Sequence, residues 1–179
     1  ADRRLDGPAE TRAQVTWAAG DDVTLTDLVA QAMGARVTGT ASLSPEAPGL
    51  PASAQIKAEV ADLSRFAAIT GQPLEGRIDA TFGGGGTIET QTLDITLEAT
   101  TSSLATGIAQ LDGLIASDGT LLIEAAHDDG TVTLRDLRLA YDAARINASG
   151  SGVIAEQSGQ LVFDADLSDL ALIDARLSG

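Results

Sequence analysis

Leu93-Asp94-Ile95-Thr96-Leu97-Glu98-Ala99-Thr100 decides the fold class. Apolar and polar residues alternate strictly, the period-2 sign of a strand with one dry face and one wet face. The same alternation recurs in Gln55-Ile56-Lys57-Ala58-Glu59-Val60 and in Arg77-Ile78-Asp79-Ala80-Thr81-Phe82. Thr131-Val132-Thr133-Leu134 starts another run, and Leu161, Phe163, Ala165 and Leu167 make a further one. Weaker runs are Val15–Trp17, Val23–Leu25, Val37–Leu43 and Arg145–Ala148. Thr120–Ala125 is more apolar and reads as covered on both faces. At Leu134-Arg135-Asp136-Leu137 the phase slips by one residue, the mark of a β-bulge or tight turn.

Glycine and Asp-Gly steps separate these runs. Gly83–Gly86, Asp118-Gly119, Asp128-Asp129-Gly130, Ser149–Gly152 and Ser158-Gly159 read as turns. Many short strands joined by such turns predict an antiparallel all-β protein of roughly ten strands. Helical signal is small. Asp62–Gly71 has an N-cap in Asp62, apolar residues at Leu63, Phe66 and Ile69, and a stop at Gly71. Leu25–Gly34 and Ser103–Leu111 read in a similar way, as short plugs between strands.

Composition bounds the chemistry. The 179 residues suit a single β-rich unit. With 11 Lys+Arg against 26 Asp+Glu the net charge is −15, which opposes phosphate-backbone binding and predicts no nucleic-acid partner. There is no cysteine, so disulfides, thiolate metal sites and thiol nucleophiles are excluded. No run of 18 apolar residues marks a membrane-spanning helix.

Each candidate chemical site reads better as structure. Gly83–Gly86 lacks the Lys-Ser/Thr pair of a phosphate loop, since Thr87-Ile88 follow, and is expected to be a flexible hairpin loop. His127-Asp128-Asp129 has no second His or Cys to complete a zinc set and reads as a solvated turn. Asp164 and Asp166 share one face, that of a wet strand. Ser149–Ser151 lacks a nucleophile elbow, and Asn147-Ala148-Ser149 matches a glycosylation triplet only. No catalytic residue, cofactor-binding residue or metal ligand is assigned, and no enzyme is expected.

A degenerate repeat underlies the pattern. Asp27-Leu28 runs to Val37-Thr38-Gly39, Asp62-Leu63-Ser64 to Leu74-Glu75-Gly76, and Asp166-Leu167-Ser168 to Leu177-Ser178-Gly179. The units so defined are 27–61, 62–165 and 166–179, too irregular for a fixed-period solenoid. The last unit closes on the final glycine, so the chain is expected to be an excised piece of a longer repetitive protein.

Two stretches carry a resemblance. Val60-Ala61-Asp62-Leu63-Ser64-Arg65-Phe66-Ala67-Ala68-Ile69-Thr70-Gly71-Gln72-Pro73-Leu74-Glu75-Gly76, and Leu134-Arg135-Asp136-Leu137-Arg138-Leu139 continuing to Ile146-Asn147-Ala148-Ser149-Gly150, resemble the TamB family of Gram-negative translocation and assembly module proteins, relatives of AsmA. The resemblance covers roughly residues 27–179 and rests on phrasing rather than on a catalytic signature. It implies an elongated, strongly curved, U-shaped (taco-like) β-sheet with an apolar concave interior and a few short helices. It also implies a periplasmic location within a protein anchored in the inner membrane, the anchor lying outside this sequence. The function implied is a hydrophobic groove for phospholipid transport between the two membranes, assembly of outer-membrane proteins, or both. The implied partners are phospholipid acyl chains or apolar β-strand clients, together with an Omp85-class outer-membrane protein reached by the full-length parent. The groove-lining residues would be Ile56, Val60, Ile78, Phe82, Leu93, Ile95, Leu97, Val132, Leu134, Leu161 and Phe163. An alternating apolar face equally describes any β-sandwich core, so a closed-core secreted structural or adhesion domain is the alternative.

Overall fold

The computed structural model describes residues 9–18 and 20–168. Ten strands form one antiparallel sheet: β1 (Ala9–Thr16), β2 (Val23–Ala32), β3 (Ala35–Leu43), β4 (Pro51–Val60), β5 (Glu75–Thr87), β6 (Thr92–Ala105), β7 (Gly119–Asp128), β8 (Thr131–Ala140), β9 (Ala144–Val153) and β10 (Ser158–Leu167). Each strand pairs with its neighbours in sequence, in the order β1 to β10. β1 and β10 do not pair with each other, so the sheet is not closed into a barrel. The all-β antiparallel class expected from the alternation is the class observed.

The connections divide between the two ends of the strands. At one end lies, among other links, the two-residue turn Asp129-Gly130 between β7 and β8, with φ of 45° and 73°. Positive φ at both positions gives the turn the twist that a hairpin needs, and Asp-Gly adopts it at low cost. At the other end lie the short helices. A 3₁₀ turn (Leu63–Phe66) and α1 (Ala67–Thr70) join β4 to β5, and α2 (Ala109–Ile115) joins β6 to β7. The plug expected at Asp62–Gly71 is there. The Asp62 carboxylate accepts from the Ser64 backbone N–H at 3.0 Å, and Gly71 ends the helix at φ 71°.

Several turn and helix expectations are corrected. Gly83–Gly86 is not a hairpin loop but the last third of β5, paired with both β4 and β6. Ser149–Gly152 lies inside β9, and Ser158-Gly159 opens β10. Leu25–Gly34 is strand β2 and its hairpin turn, not a helix. β2 carries an extra residue between Leu25 and Leu28, beside Asp27 at φ 53°, so two residues three apart share a face and imitate helical spacing. In Ser103–Leu111 the strand β6 persists to Ala105, and the helix starts only at Ala109. The phase slip at Leu134–Leu137 is a true bulge: Ala125 pairs with Leu134, Glu124 with Asp136, and Arg135 is the extra residue.

The repeat does not map onto equal structural units. Asp27 sits at a bulge within β2, Asp62 caps a 3₁₀ turn, and Asp166 lies within β10. The third copy beyond Ser168 lies outside the described residues.

Burial is shallow. Among the described residues only Tyr141, Ala144, Thr101 and Gly119 are buried, and no side chain falls below 2% exposure. The four gather at the helical end. The Tyr141 ring lies over Gly119, where an added Cβ would come within 2.0 Å of it, and its hydroxyl bonds Thr101 at 2.9 Å.

Candidate functional site: the apolar face of the sheet

In an antiparallel ladder, residues directly opposite each other point to the same face. The register therefore assigns each side chain to a face. One row runs Leu28, Gly39, Ile56, Phe82, Leu97, Ile123, Leu137, Ala148, Phe163 across β2 to β10. The next is Leu25, Ala41, Ala54, Gly84, Ile95, Ala125, Leu134, Gly150, Leu161, and Val15 of β1 joins it. A third contains Leu93, His127 and Val132, and a fourth Val60, Ile78 and Thr101. All eleven residues named from the sequence thus lie on one face, together with Leu28, Leu121, Ile123, Leu137, Leu139 and Ile146. At ~4.8 Å between strands, a row from β2 to β10 spans roughly 40 Å.

The other face is polar. One of its rows reads Thr38, Lys57, Thr81, Glu98, Leu122, Arg138, Asn147, Asp164. Ion pairs run along single strands there: Lys57–Glu59 at 2.7 Å, Arg77–Asp79 at 2.9 Å and Arg138–Asp136 at 2.6 Å. Arg135, released by its bulge, reaches Asp94. The hydrogen bond to Glu59, aided by its charge, raises the Lys57 pKa, and the hydrogen bond from Arg135 lowers that of Asp94. These pairs are solvent-exposed and contribute little to stability. Their use is to keep this face wet.

Seven of the eleven named residues are half-buried: Ile56, Val60, Ile78, Phe82, Ile95, Leu97 and Leu134. Leu93, Val132, Leu161 and Phe163 are exposed. Neighbouring side chains in one layer can shield each other only sideways. Where the row carries glycine, a gap opens. Gly84 and Gly86 leave a depression of about 420 Å³ beside Phe82, Leu93, Ile88 and Ala54, with His127 at its rim. A second depression of about 400 Å³ opens on the polar face between Lys57, Glu98, Thr120 and Arg138. The sheet is thus dimpled on both faces.

Polar groups near the apolar face are accounted for. His127 Nδ1–H donates to the Gln91 carbonyl oxygen at 2.6 Å, which ties the β5–β6 turn to β7. Thr101 is bonded by Tyr141. At the helical end Asp112 accepts from the Thr106 N–H at 2.6 Å, the Thr106 hydroxyl at 2.8 Å and the Gly107 N–H at 3.1 Å. These bonds hold its carboxyl below the usual carboxylate range, as those from Ser64 do for Asp62. Sequence reasoning passed over Asp112, although an Asp six residues after Thr106 was the available signal.

The remaining candidates stay apart. Asp164 and Asp166 lie on the polar face of β10, opposite Asn147 and Arg145. Ser149 and Ser151 lie on the polar face of β9. Among the described residues no three His, Cys, Asp or Glu side chains gather as a metal site. No helix there is long and apolar enough to cross a membrane. No protein-family model, no curated protein and no solved structure matches this chain.

Proposed function

We propose that this chain is a segment of a periplasmic envelope protein whose sheet curls into a trough, and that the apolar face carries phospholipid acyl chains along it. One observation carries the reading. The face is apolar along rows that cross nine strands, yet among the described residues no second layer lies over it. An acyl chain laid along such a row gains about 0.8 kcal/mol for each CH₂ removed from water. With no unpaired charge on the wall, nothing holds the chain at one point, so it slides. The same face suits the apolar β-strands of outer-membrane clients, and an Omp85-class partner would receive them from the full-length parent. The anchor and the periplasmic setting belong to this proposal through the TamB resemblance. The closed-core domain would need a covering sheet or helix layer, and no observation favours it. No enzymatic step enters the reading.

The test is site-specific photo-crosslinking of the protein in the periplasm of living cells. Probes go at Ile95 and Phe163 on the apolar face, with Thr96 and Asp164 on the polar face as controls. Phospholipid adducts from the first pair alone are expected. Absence of lipid from all four positions, with Ile95 joined only to neighbouring protein, would replace the trough by a covered core.

A further inference from the structure

The histidine at the cavity rim breaks the chemistry of its face. Paired rows cover the apolar face from Val60–Ile78–Thr101 at the helical end to Leu93–His127–Val132 at the other. His127 is the one ionisable side chain in those rows. Its ring is fixed by the 2.6 Å bond to Gln91, whose backbone stands at φ 53° in the turn between β5 and β6. A carbonyl oxygen only accepts, so Nδ1 carries a proton. Among the described residues Nε2 has no hydrogen-bond partner. The bond to Gln91 explains one ring nitrogen and leaves the other unused beside a cavity.

That cavity lies among β4, β5, β6 and β7, in the middle of the sheet. Its volume of about 420 Å³ falls within the roughly 300–1,000 Å³ of small-ligand sites. Gly84 and Gly86 leave its floor bare, and Phe82 closes it towards the helical end. A Cβ added at Gly84 would come within 3.0 Å of the Phe82 ring. Ile88 and Leu93 on its walls are 56% and 48% exposed, apolar surface that a hydrocarbon chain would cover. The head group follows from the donors. A phosphate, with three strong acceptor oxygens, is commonly met by an arginine fork or several donors, and this face has neither. One imidazole N–H suits one carboxylate.

The geometry points to a fixed station for a fatty acid, its alkyl chain lying in the cavity over Gly84 and Gly86 and its carboxylate accepting a hydrogen bond from His127 Nε2. This rests on the reading of the face as an acyl-chain surface, and adds where a chain stops and which head group stops it. While the ring is neutral, Nε2 is an acceptor and the wall carries no charge. A proton taken from solvent turns Nε2 into a donor, so carboxylate binding draws that proton with it. No neighbouring acid takes the ligand's place. Leu93 of β6 and Val132 of β8 face the ring. Asp94 lies on the other face and pairs with Arg135. Asp128 also lies on the other face, Asp129 sits in the turn that follows, and Glu89 of the β5–β6 turn accepts from the Gly49 N–H at 3.2 Å.

Dodecanoate, dodecanol and dodecyl phosphate are titrated into the chain below their micelle concentrations, with affinity read by calorimetry and the His127 ring followed by nitrogen NMR. The titrations are run at about pH 6 and about pH 8, between which histidine changes charge; the chain has a single histidine and no cysteine. At the lower pH dodecanoate is expected to bind about tenfold tighter than dodecanol, and about tenfold tighter than it does itself at the higher pH. The Nε2 resonance is expected to move with dodecanoate and not with dodecanol. His127→Gln is expected to bring dodecanoate down to the level of dodecanol at both pH values. Ala54→Leu, which fills the cavity, is expected to weaken both ligands together by about tenfold. Equal binding of dodecanoate and dodecanol, or a preference that survives His127→Gln, overturns the station and leaves the acyl-chain surface standing. Unchanged affinity in Ala54→Leu overturns the seat of the chain, and dodecyl phosphate bound ahead of dodecanoate overturns the head group. Failure of every ligand to bind removes the acyl-chain surface together with the station.

Discussion

Phe82 and Phe163 stand in the same row of the same face, yet their surroundings are opposite. Phe82, in the middle of the sheet, has Ile56 on one side and Leu97 on the other and is half-buried. Phe163, in β10, has among the described residues only Ala148 opposite it and is 68% exposed. In a single-layer sheet, burial comes from lateral neighbours rather than from depth. The middle strands β4–β8 place branched and aromatic residues side by side, whereas β9 places Gly150, Gly152 and Ala148 beneath β10. One alternating pattern thus produces a shielded centre and a bare margin, and what differs is the size of the residue next door.

The sharpest way to break this comparison is to add the same methyl group in both regions. An added Cβ at Gly86 would stand 2.0 Å from the Thr92 carbonyl oxygen, and one at Gly150 would stand 2.2 Å from that of Gln160. The clashes match in kind, but β10 is held from one side and can yield, whereas β6 is held from both. Gly86→Ala is expected to cost ~3 kcal/mol and Gly150→Ala ~1 kcal/mol in urea unfolding. Equal costs would mean that the margin is as rigid as the centre.

Truncation of the two phenylalanines sharpens the comparison further. Phe82→Ala removes a half-buried ring and should cost ~2 kcal/mol, below the range for full core positions. Phe163→Ala should change stability by less than ~0.5 kcal/mol. A large cost at Phe163 would show that something covers the margin in solution.

The smallest expected effect lies in the plugs that join the middle strands. Asp62 and Asp112 have folded pKa values depressed by the hydrogen bonds they accept. Their contribution is complete above the unfolded carboxylate value of ~3.9 and is lost as pH falls through the lower folded values. Amide exchange at Ser64, Thr106 and Gly107, corrected for its intrinsic pH dependence, should lose protection on acidification below about pH 4. Asp112→Asn should weaken protection at Thr106 and Gly107 already at neutral pH. Protection unchanged down to pH 2 would separate these caps from the loops they hold.

The faces were legible in the sequence because a two-residue period fixes inside and outside whatever the strand count. Ile56, Ile78, Ile95 and Leu134 need only their own strand's alternation to be placed. The bulge at Leu134–Leu137 was legible for the same reason, as a break in phase. The equivalent break in β2 was not, because Leu25, Leu28, Val29 and Ala32 match a helical stripe and no local feature separates the two. The glycines misled most. Gly83–Gly86 and Gly150–Gly152 carry a turn composition, but here they are strand residues over which neighbouring backbones approach closely. That approach is a property of the partner strand, so a single strand's sequence could not reveal it. Tyr141 was likewise opaque, since its packing over Gly119 and its bond to Thr101 join residues distant along the chain.

The unbroken order from β1 to β10 makes the molecule one-dimensional in its energetics. Every strand owes its place to the one before and the one after, as the units of a repeat array do. Contacts join near neighbours in sequence, which keeps the loop-closure cost of each new strand small and favours rapid folding. Such a chain can acquire its structure hairpin by hairpin as it emerges, without waiting for its far end. It can also be lengthened or shortened at the margin by a hairpin at a time, leaving the middle strands in register.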